Sequence, residues 1–410
     1  MPKVLRIINR FNLGGPTYNV SYLTKYLNSG YETLLVGGMN DKNEACSDYI
    51  AKKLGIHFLK IPEMTRDIGY NDLVAYYKIK DIIRRYKPDI VHTHASKSGF
   101  LGRRAAAELK VPVVVHTFHG HIFHSYFNKY TTQIFKTIER QLAQKTDAII
   151  AISNLQKYEL SKVHEIAPEE KFRVIPLGFD LERFQENYDF KRKSFRDLYH
   201  VKDDEIVITI IGRLVPVKNH ELFIKAVAEV KKNTNRKIKA FIVGDGELRF
   251  KLVELAVSLG LKCFQSGSTN YDADIFFTSW IQDADLVLAA TDITALTSFN
   301  EGTPVSLIEA QAANSPIVST NVGGIEDVVI KDKTALLADN NNLEDFSQKL
   351  LKLVNSDDLR KEMKKQGWEF VRETFHYTRL VNDTKKLYDE LLLRKKNSIL
   401  IFQNQNLLFS

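Results

Sequence analysis

Cysteine is nearly missing from this chain: only Cys46 and Cys263 occur in 410 residues, far apart in sequence. Two isolated thiols supply neither a disulfide framework nor a cysteine-rich zinc site, and the scarcity points to a reducing compartment. Long apolar runs are missing as well. No stretch approaches the ~20 consecutive apolar residues of a membrane-spanning helix, and the opening residues Met1-Pro2-Lys3-Val4-Leu5-Arg6-Ile7-Ile8 are too interrupted by charge for a secretory signal. The expected location is therefore the cytoplasm. Glycine patterns for phosphate loops are incomplete: Val36-Gly37-Gly38 and Gly244-Asp245-Gly246 are not followed by a full Gly-x-Gly-x-x-Gly, and no P-loop pattern occurs. Nicotinamide and ATP sites thus have little support.

What the chain does have is a globular balance, 44% hydrophobic with 26% charged residues, which excludes wholesale disorder and low-complexity structure. At ~150 residues per domain its length suggests two to three domains, each able to bury a core. The net charge of +8 is unevenly spread. Residues 1–200 hold 31 bases against 21 acids, an excess of 10, whereas residues 201–410 hold 27 against 29. A basic first half suits nucleic acid, a membrane surface or a phosphorylated substrate, although a solvated surface without a partner gives the same count.

Short apolar runs at 4–8, 33–36, 90–93, 113–115, 148–151 and 174–175 alternate with amphipathic stretches, and the beat restarts at 206–211, 239–243, 286–288, 293–296 and 316–319. Strands alternating with helices predict an α/β protein of two doubly wound halves with mostly parallel sheets. The charge-dense stretch 180–205 has no apolar run and reads as a linker. The predicted domains are 1–185 and 200–375, followed by a helix at 376–395 that crosses back to the first domain and an apolar tail at 396–410.

Two segments of the second half carry chemistry. In Ser298-Phe299-Asn300-Glu301-Gly302-Thr303-Pro304-Val305-Ser306-Leu307-Ile308-Glu309-Ala310, a strand runs into a polar loop and Pro304 suits the first position of a helix. The free amides of Val305 and Ser306, with the helix dipole, then form an anion site suited to a phosphate. Glu301 precedes that helix and Glu309 lies inside it, so the two carboxylates face different parts of one ligand. Carboxylates accept hydrogen bonds from sugar hydroxyls, and this order of acid, amides and acid fits a nucleotide diphosphate sugar; a surface pair of glutamates is the plain alternative. In Ile210-Ile211-Gly212-Arg213-Leu214-Val215-Pro216-Val217-Lys218-Asn219, Gly212 permits close backbone approach. Arg213 and Lys218 offer a fork and a point charge to a diphosphate, with no acid between them. A solvated basic loop is the alternative there.

Gly212-Arg213 with Lys218, Val243-Gly244-Asp245-Gly246, the Glu301 and Glu309 pair, and Val322-Gly323-Gly324 with Glu326 resemble the donor domain of retaining glycosyltransferases of family 4. That family has the GT-B fold, two Rossmann-like domains facing a central cleft. The first half is similar too, in Leu13-Gly14-Gly15, Thr117-Phe118-His119-Gly120 and Val174-Ile175-Pro176-Leu177-Gly178, so that the resemblance spans roughly residues 4 to 390. It implies that Arg213 and Lys218 hold the diphosphate and stabilise the leaving group, that Glu301 binds donor-sugar hydroxyls, and that Glu309 binds the ribose. It also implies that the Gly14 and Gly15 loop approaches the donor phosphate and that His119 reaches the donor sugar. Gly212, Gly302, Thr303, Val305 and Ser306 complete the implied donor set. Thr278-Ser279-Trp280-Ile281 stands where the family places its nucleobase loop, which adds Trp280. The same resemblance implies a front-face displacement with retention, the leaving phosphate helping to deprotonate the acceptor, in contrast with the two carboxyl groups of retaining glycosidases.

His116, His119, His121 and His124, with His92 and His94, are dense enough to raise a metal site, but cysteine support and zinc-like spacing are lacking. Asp272-Ala273-Asp274 and Asp283-Ala284-Asp285 match the metal signature of the other large glycosyltransferase fold, yet Arg213 and Lys218 already supply the positive charge. No metal or other cofactor is expected. Phe123, Tyr126, Phe127, Tyr130, Ile134, Phe135, Ile138 and Leu142 recur at helical spacing beside Lys129, Lys136 and Arg140; core packing and a dip into a bilayer interface both produce such a stripe. The resulting expectation is a hexosyltransferase that uses a nucleotide-sugar and a glycan or lipid-linked acceptor in surface polysaccharide synthesis, with peripheral contact at an anionic membrane and no nucleic acid. A nucleotide-sugar epimerase of the same architecture and a non-catalytic nucleotide-sugar or glycan binding protein are the alternatives.

Overall fold

A computed structural model describes residues 1–11, 15–27, 30–40, 46–120 and 129–408. The chain divides into two units, residues 1–179 with 375–410, and residues 180–374. The first unit contains β1 (Lys3–Arg10), α1 (Gly15–Tyr26), β2 (Glu32–Gly38), α2 (Asp48–Lys53), β3 (Phe58–Ile61), α3 (Tyr70–Tyr86), β4 (Ile90–His94) and α4 (Ser96–Glu108). It continues through β5 (Val113–Phe118), α5 (Lys129–Gln144), β6 (Ala148–Ala151), α6 (Asn154–Tyr158) and β7 (Phe172–Val174). The second unit contains α7 (Tyr188–Leu198), β8 (Ile206–Ile211), α8 (His220–Asn233), β9 (Ile238–Val243), α9 (Arg249–Ser258), β10 (Cys263–Gln265) and β11 (Ile275–Ser279). After these come α10 (Ala284–Ala290), β12 (Ile293–Leu296), α11 (Val305–Ala312), β13 (Ile317–Thr320), β14 (Ala335–Ala338), α12 (Leu343–Asn355), α13 (Asp357–Met363) and α14 (Gly367–Phe375); the long helix α15 (Tyr377–Leu408) belongs to the first unit.

Each unit has one seven-stranded sheet, in the order β3-β2-β1-β4-β5-β6-β7 and β10-β11-β9-β8-β12-β13-β14, with every pairing parallel. The expected architecture of two doubly wound α/β halves is what the chain adopts. Strands β4 and β5 are buried along their whole length, which is why Ile90-Val91 and Val113-Val114-Val115 stand as consecutive rather than alternating apolar residues. In the first unit Leu5 and Ile7 pack with residues of α3 and α4, while Val4 packs on the other face with Leu23 of α1 and with Leu380, Leu387 and Tyr388 of α15. Alternation along β1 thus decides which helices cover which face. The returning helix runs without a break from Tyr377 to Leu408, through the segment read as a separate tail. Among the described residues no helix is long and apolar enough to cross a membrane.

Two further expectations change. Residues 180–205 are not a linker: they hold a 3-10 turn, Glu182–Phe184, and α7, both within the second unit. Phe184 and Phe195 are fully buried, and the Phe195 ring packs at a tilt against Phe241 of β9, with centroids 5.2 Å apart. The segment has too few apolar residues to look like an element, and only some of the large ones are buried: Phe190 and Leu198 are exposed. Leu286-Val287-Leu288 is not a strand but part of α10, since a short apolar run does not by itself distinguish a buried helix from a strand. The strands β3, β10, β11 and β14 carry no expectation from the sequence; β3 and β10 are short edge strands, with Leu59, Lys60 and Gln265 exposed.

Candidate active site

The carboxyl ends of β8 and β12 carry the two expected segments of the second unit. After β8 the chain passes Gly212 and an exposed Arg213 into a 3-10 turn at Pro216–Lys218, ended by Asn219 in the left-handed conformation. After β12 the loop folds onto that turn: Phe299 N–H donates to the Val217 carbonyl at 2.9 Å and Thr297 Oγ1 to the Lys218 carbonyl at 3.1 Å. This clasp brings Lys218 Nζ to 2.6 Å from Glu301 Oε1, which also accepts from Ser298 Oγ at 2.5 Å. The sequence suggested a lysine with no acid beside it; the fold supplies one from 83 positions away. An ammonium has three donors, so Lys218 can hold the carboxylate in place and still offer protons to a ligand.

Close packing at the site is set by glycine, though not at Gly212. A Cβ on Gly212 would meet nothing nearer than Lys218, at 3.9 Å. Gly244, at φ +150°, is the crowded position, where a Cβ would lie 1.9 Å from the Gly212 carbonyl oxygen. Gly323 is a second case: it has φ +54°, and a Cβ would lie 2.0 Å from the Glu301 carbonyl oxygen. Gly324 N–H donates to that same carbonyl at 3.0 Å, so the loop after β13 braces the Glu301 turn.

Pro304 caps α11 rather than opening it; its carbonyl accepts from Leu307 N–H at 3.1 Å, and Val305 is the first helical residue. Val305, Ser306 and Thr303 are half-buried and Gly302 is exposed at this helix start. Glu309 lies one turn further on with its side chain 13% exposed, bonded by Arg183 Nη2 at 3.2 Å. Burial pushes its carboxyl upward from the ordinary range, and Arg183 opposes that shift. Arg183 carries no motif signal, sitting in the stretch read as linker. At the end of β11, Ser279 takes the unusual φ of +60° just before the exposed Trp280. Its carbonyl accepts from Gly244 N–H at 3.1 Å and its hydroxyl oxygen from Arg249 Nη1 at 2.7 Å, contacts that hold the strained residue.

In the first unit Gly15 is buried at the start of α1; Gly14, His121 and His124 lie outside the described residues. His119 follows β5, and its Nε2 is 3.0 Å from Nδ1 of the buried His94. Burial brings the His119 imidazole down to about 3. His92 bonds Tyr388 OH at 2.6 Å and Thr117 Oγ1 at 2.7 Å, and His116 Nδ1 bonds Thr93 Oγ1 at 2.8 Å. Burial lowers the pKa of all three of His92, His94 and His116 well below the ordinary value. These rings are thus neutral members of a buried hydroxyl network. Among the described residues no group of three or more His, Cys, Asp or Glu is arranged to hold a metal ion. Of the two Asp-x-Asp patterns, Asp272, Asp274 and Asp285 pair with Lys262, Lys231 and Lys191. The aromatic stripe divides: Leu142 is buried and Phe135 and Ile138 half-buried, while Tyr130 and Ile134 are 86% and 60% exposed; Phe123, Tyr126 and Phe127 lie outside the described residues.

Comparison with known proteins places both units. Residues 191–370 match the family model for glycosyl transferases group 1, and residues 14–183 that for Glycosyltransferase Family 4. The chain is 30% identical over 354 residues, 85% of its length and 87% of the relative's, to the UDP-Gal:alpha-D-GlcNAc-diphosphoundecaprenol alpha-1,3-galactosyltransferase of Escherichia coli. Among solved structures it is similar to a glycosyltransferase from Rickettsia africae, with a TM-score of 0.76 and 20% identity over 95% of this chain and 98% of that one. It is also similar to Anabaena HepE in complex with UDP, with a TM-score of 0.77 and 17% identity over 95% of this chain and 100% of that one. With one family model on each half and a transferase relative along most of its length, the chain belongs to glycosyltransferase family 4 and is an enzyme of the GT-B fold.

Proposed function

We propose that the protein transfers a hexose, with retention of anomeric configuration, from a UDP-sugar to a hydroxyl of a lipid-linked glycan precursor in surface polysaccharide synthesis. The observation that carries the reading is the clasp of Lys218 and Glu301 beside the amides that open α11. It sets a cation, a carboxylate and anion-binding N–H groups around one space, the combination that a sugar diphosphate needs. The relative's name supplies the donor and acceptor classes, UDP-galactose and a GlcNAc-diphospholipid.

In this reading Arg213 and Lys218 take the diphosphate, and the charge that develops on it as the glycosidic bond breaks is stabilised where it forms. The Val305 and Ser306 amides take a phosphate oxygen, with Gly302 and Thr303 beside them. Glu301, held by Lys218 and Ser298, accepts hydrogen bonds from donor-sugar hydroxyls, and Glu309 accepts them from the ribose. Gly212 and Trp280 border the phosphates and the base. Gly14, Gly15 and His119 of the first unit keep the donor roles that the family resemblance implies for them. The leaving phosphate receives the acceptor proton, so no carboxylate nucleophile and no divalent ion enters the scheme. Peripheral contact with an anionic membrane at the cytoplasmic face would bring the basic first unit, with exposed Tyr130 and Ile134, to its acceptor. A thermal-shift panel of nucleotides and nucleotide-sugars tests the donor assignment: UDP and one UDP-hexose raise Tm. A preference for another nucleotide would overturn the uridine assignment, and no shift with any donor would overturn the site.

A further inference from the structure

A cavity of about 520 Å³ opens in the first unit among the end of β1, the start of α3, and helices α4 and α5, and among the described residues none assigned to the donor above lines it. Its interior is apolar, formed by Phe100 and Leu101 of α4, Phe118 of β5, and Phe135 and Ile138 of α5. Its polar wall is biased toward positive charge. Among the described residues two acids face it, and each is met by a cation: Asp72 by Lys97 Nζ at 2.7 Å, and Glu139 by the fully buried Arg103 at 2.6 Å. Arg10 and Arg66 add to that wall, and Arg66 is exposed at the mouth.

The mouth continues as an apolar path. Ile68 lines the cavity and is 75% exposed, and beyond it Tyr70, Leu73 and Tyr77 stand exposed at positions i, i+3 and i+7 along α3, one face of that helix. On the other side Ile134 and Tyr130 extend outward along α5 from Phe135 and Ile138. An amphiphile with an anionic head and a hydrocarbon chain matches the interior, the rim and the path together.

We propose that this cavity holds the phosphate and the first hydrocarbon units of a lipid-linked diphosphate acceptor, with the phosphate beside Arg66 and the chain leaving between the exposed faces of α3 and α5. The proposal rests on the reading of the first unit as the acceptor half. The test is isothermal titration calorimetry on the full chain, with saturating UDP present to occupy the donor site, using farnesyl diphosphate, farnesol, inorganic diphosphate and lysophosphatidic acid as probes. Farnesyl diphosphate binds at least tenfold more tightly than inorganic diphosphate. Ile138→Gln weakens it at least fivefold, and the surface change Arg66→Ala weakens it at least threefold while leaving farnesol unchanged. The proposal is overturned if farnesyl diphosphate gives no binding, if Arg66→Ala and a folded Ile138→Gln both leave its affinity intact, or if lysophosphatidic acid binds as well, which makes the surface a general lipid contact. UDP affinity, measured separately on the same samples, reports on the donor reading: its absence sinks that reading and leaves the cavity result standing.

Discussion

Acidification should dismantle the first unit well before the second. His92, His94, His116 and His119 all sit in the first unit with their protonation disfavoured chiefly by burial, His119 down to about 3. The second unit has one comparable ring, His220, lowered to about 4 by burial and by Lys218. A histidine whose folded pKa is depressed contributes stability that is fully present above its unfolded pKa of about 6.5 and is lost as pH falls toward the folded value. For His119 and His220, at about 3 and about 4 in the folded chain, the unfolded chain at pH 5.0 is protonated and the folded chain is not, which costs about 2 kcal/mol each. His92, His94 and His116 add to the loss in the first unit in the same direction, whereas His220 stands alone in the second. The 3.0 Å contact between His94 and His119 sharpens the effect, because it needs one ring to donate and the other to accept. Hydrogen exchange read by mass spectrometry at pH 7.5 and 5.0, corrected for intrinsic rates, follows both units at once. Peptides covering β4 and β5 should lose far more protection than peptides covering β8 and β9. Equal losses, or a loss under about 2 kcal/mol in the first unit, would refute the assignment of these rings as buried and neutral.

Removing the guanidinium in Arg183→Ala leaves Glu309 buried beside no cation, raises its pKa further, and should raise the donor KM about tenfold, roughly 1.4 kcal/mol. The acid limb of the donor KM profile then moves to higher pH, and Arg183→Lys restores part of it; unchanged profiles would exclude Glu309 from donor binding. Phe195→Ala should destabilise the second unit by about 3–5 kcal/mol, because Phe195 is fully buried against Phe241, and urea unfolding should show it. A loss below 1 kcal/mol would return α7 to the role of a linker.

The alternation of strands and helices was legible because parallel strands buried on both faces leave consecutive apolar residues, as in Ile90-Val91 of β4, Val113-Val114-Val115 of β5 and Ile210-Ile211 of β8. Helix α7 was not, since two large residues, Phe184 and Phe195, anchor a segment otherwise made of charge. At the site, residue types such as Glu301, Glu309, Arg213 and Lys218 could be picked out along the chain, but their pairing could not. The bonds of Lys218 to Glu301 and of Arg183 to Glu309 join positions 83 and 126 apart, and only strand order brings those positions together. Gly244 is crowded by Gly212 for the same reason: β8 and β9 are neighbours, so their end loops collide unless one residue lacks a Cβ. The histidines were visible as a cluster, whereas their hydroxyl partners, Tyr388 above all, come from the far end of the chain.

The central claim is that the second unit holds a sugar nucleotide between Lys218, Glu301 and the start of α11 and transfers its sugar. Its most direct test is the transfer of labelled hexose from UDP-galactose and other UDP-hexoses to a GlcNAc-diphospholipid, by the wild type and by Lys218→Ala with its fold checked. The account predicts transfer by the wild type with an α-linked product, and a fall in kcat/KM of about 10²–10³ in the variant, from loss of leaving-group stabilisation and release of Glu301. No transfer from any UDP-hexose, a β-linked product, or a Lys218→Ala enzyme as active as the wild type would contradict it.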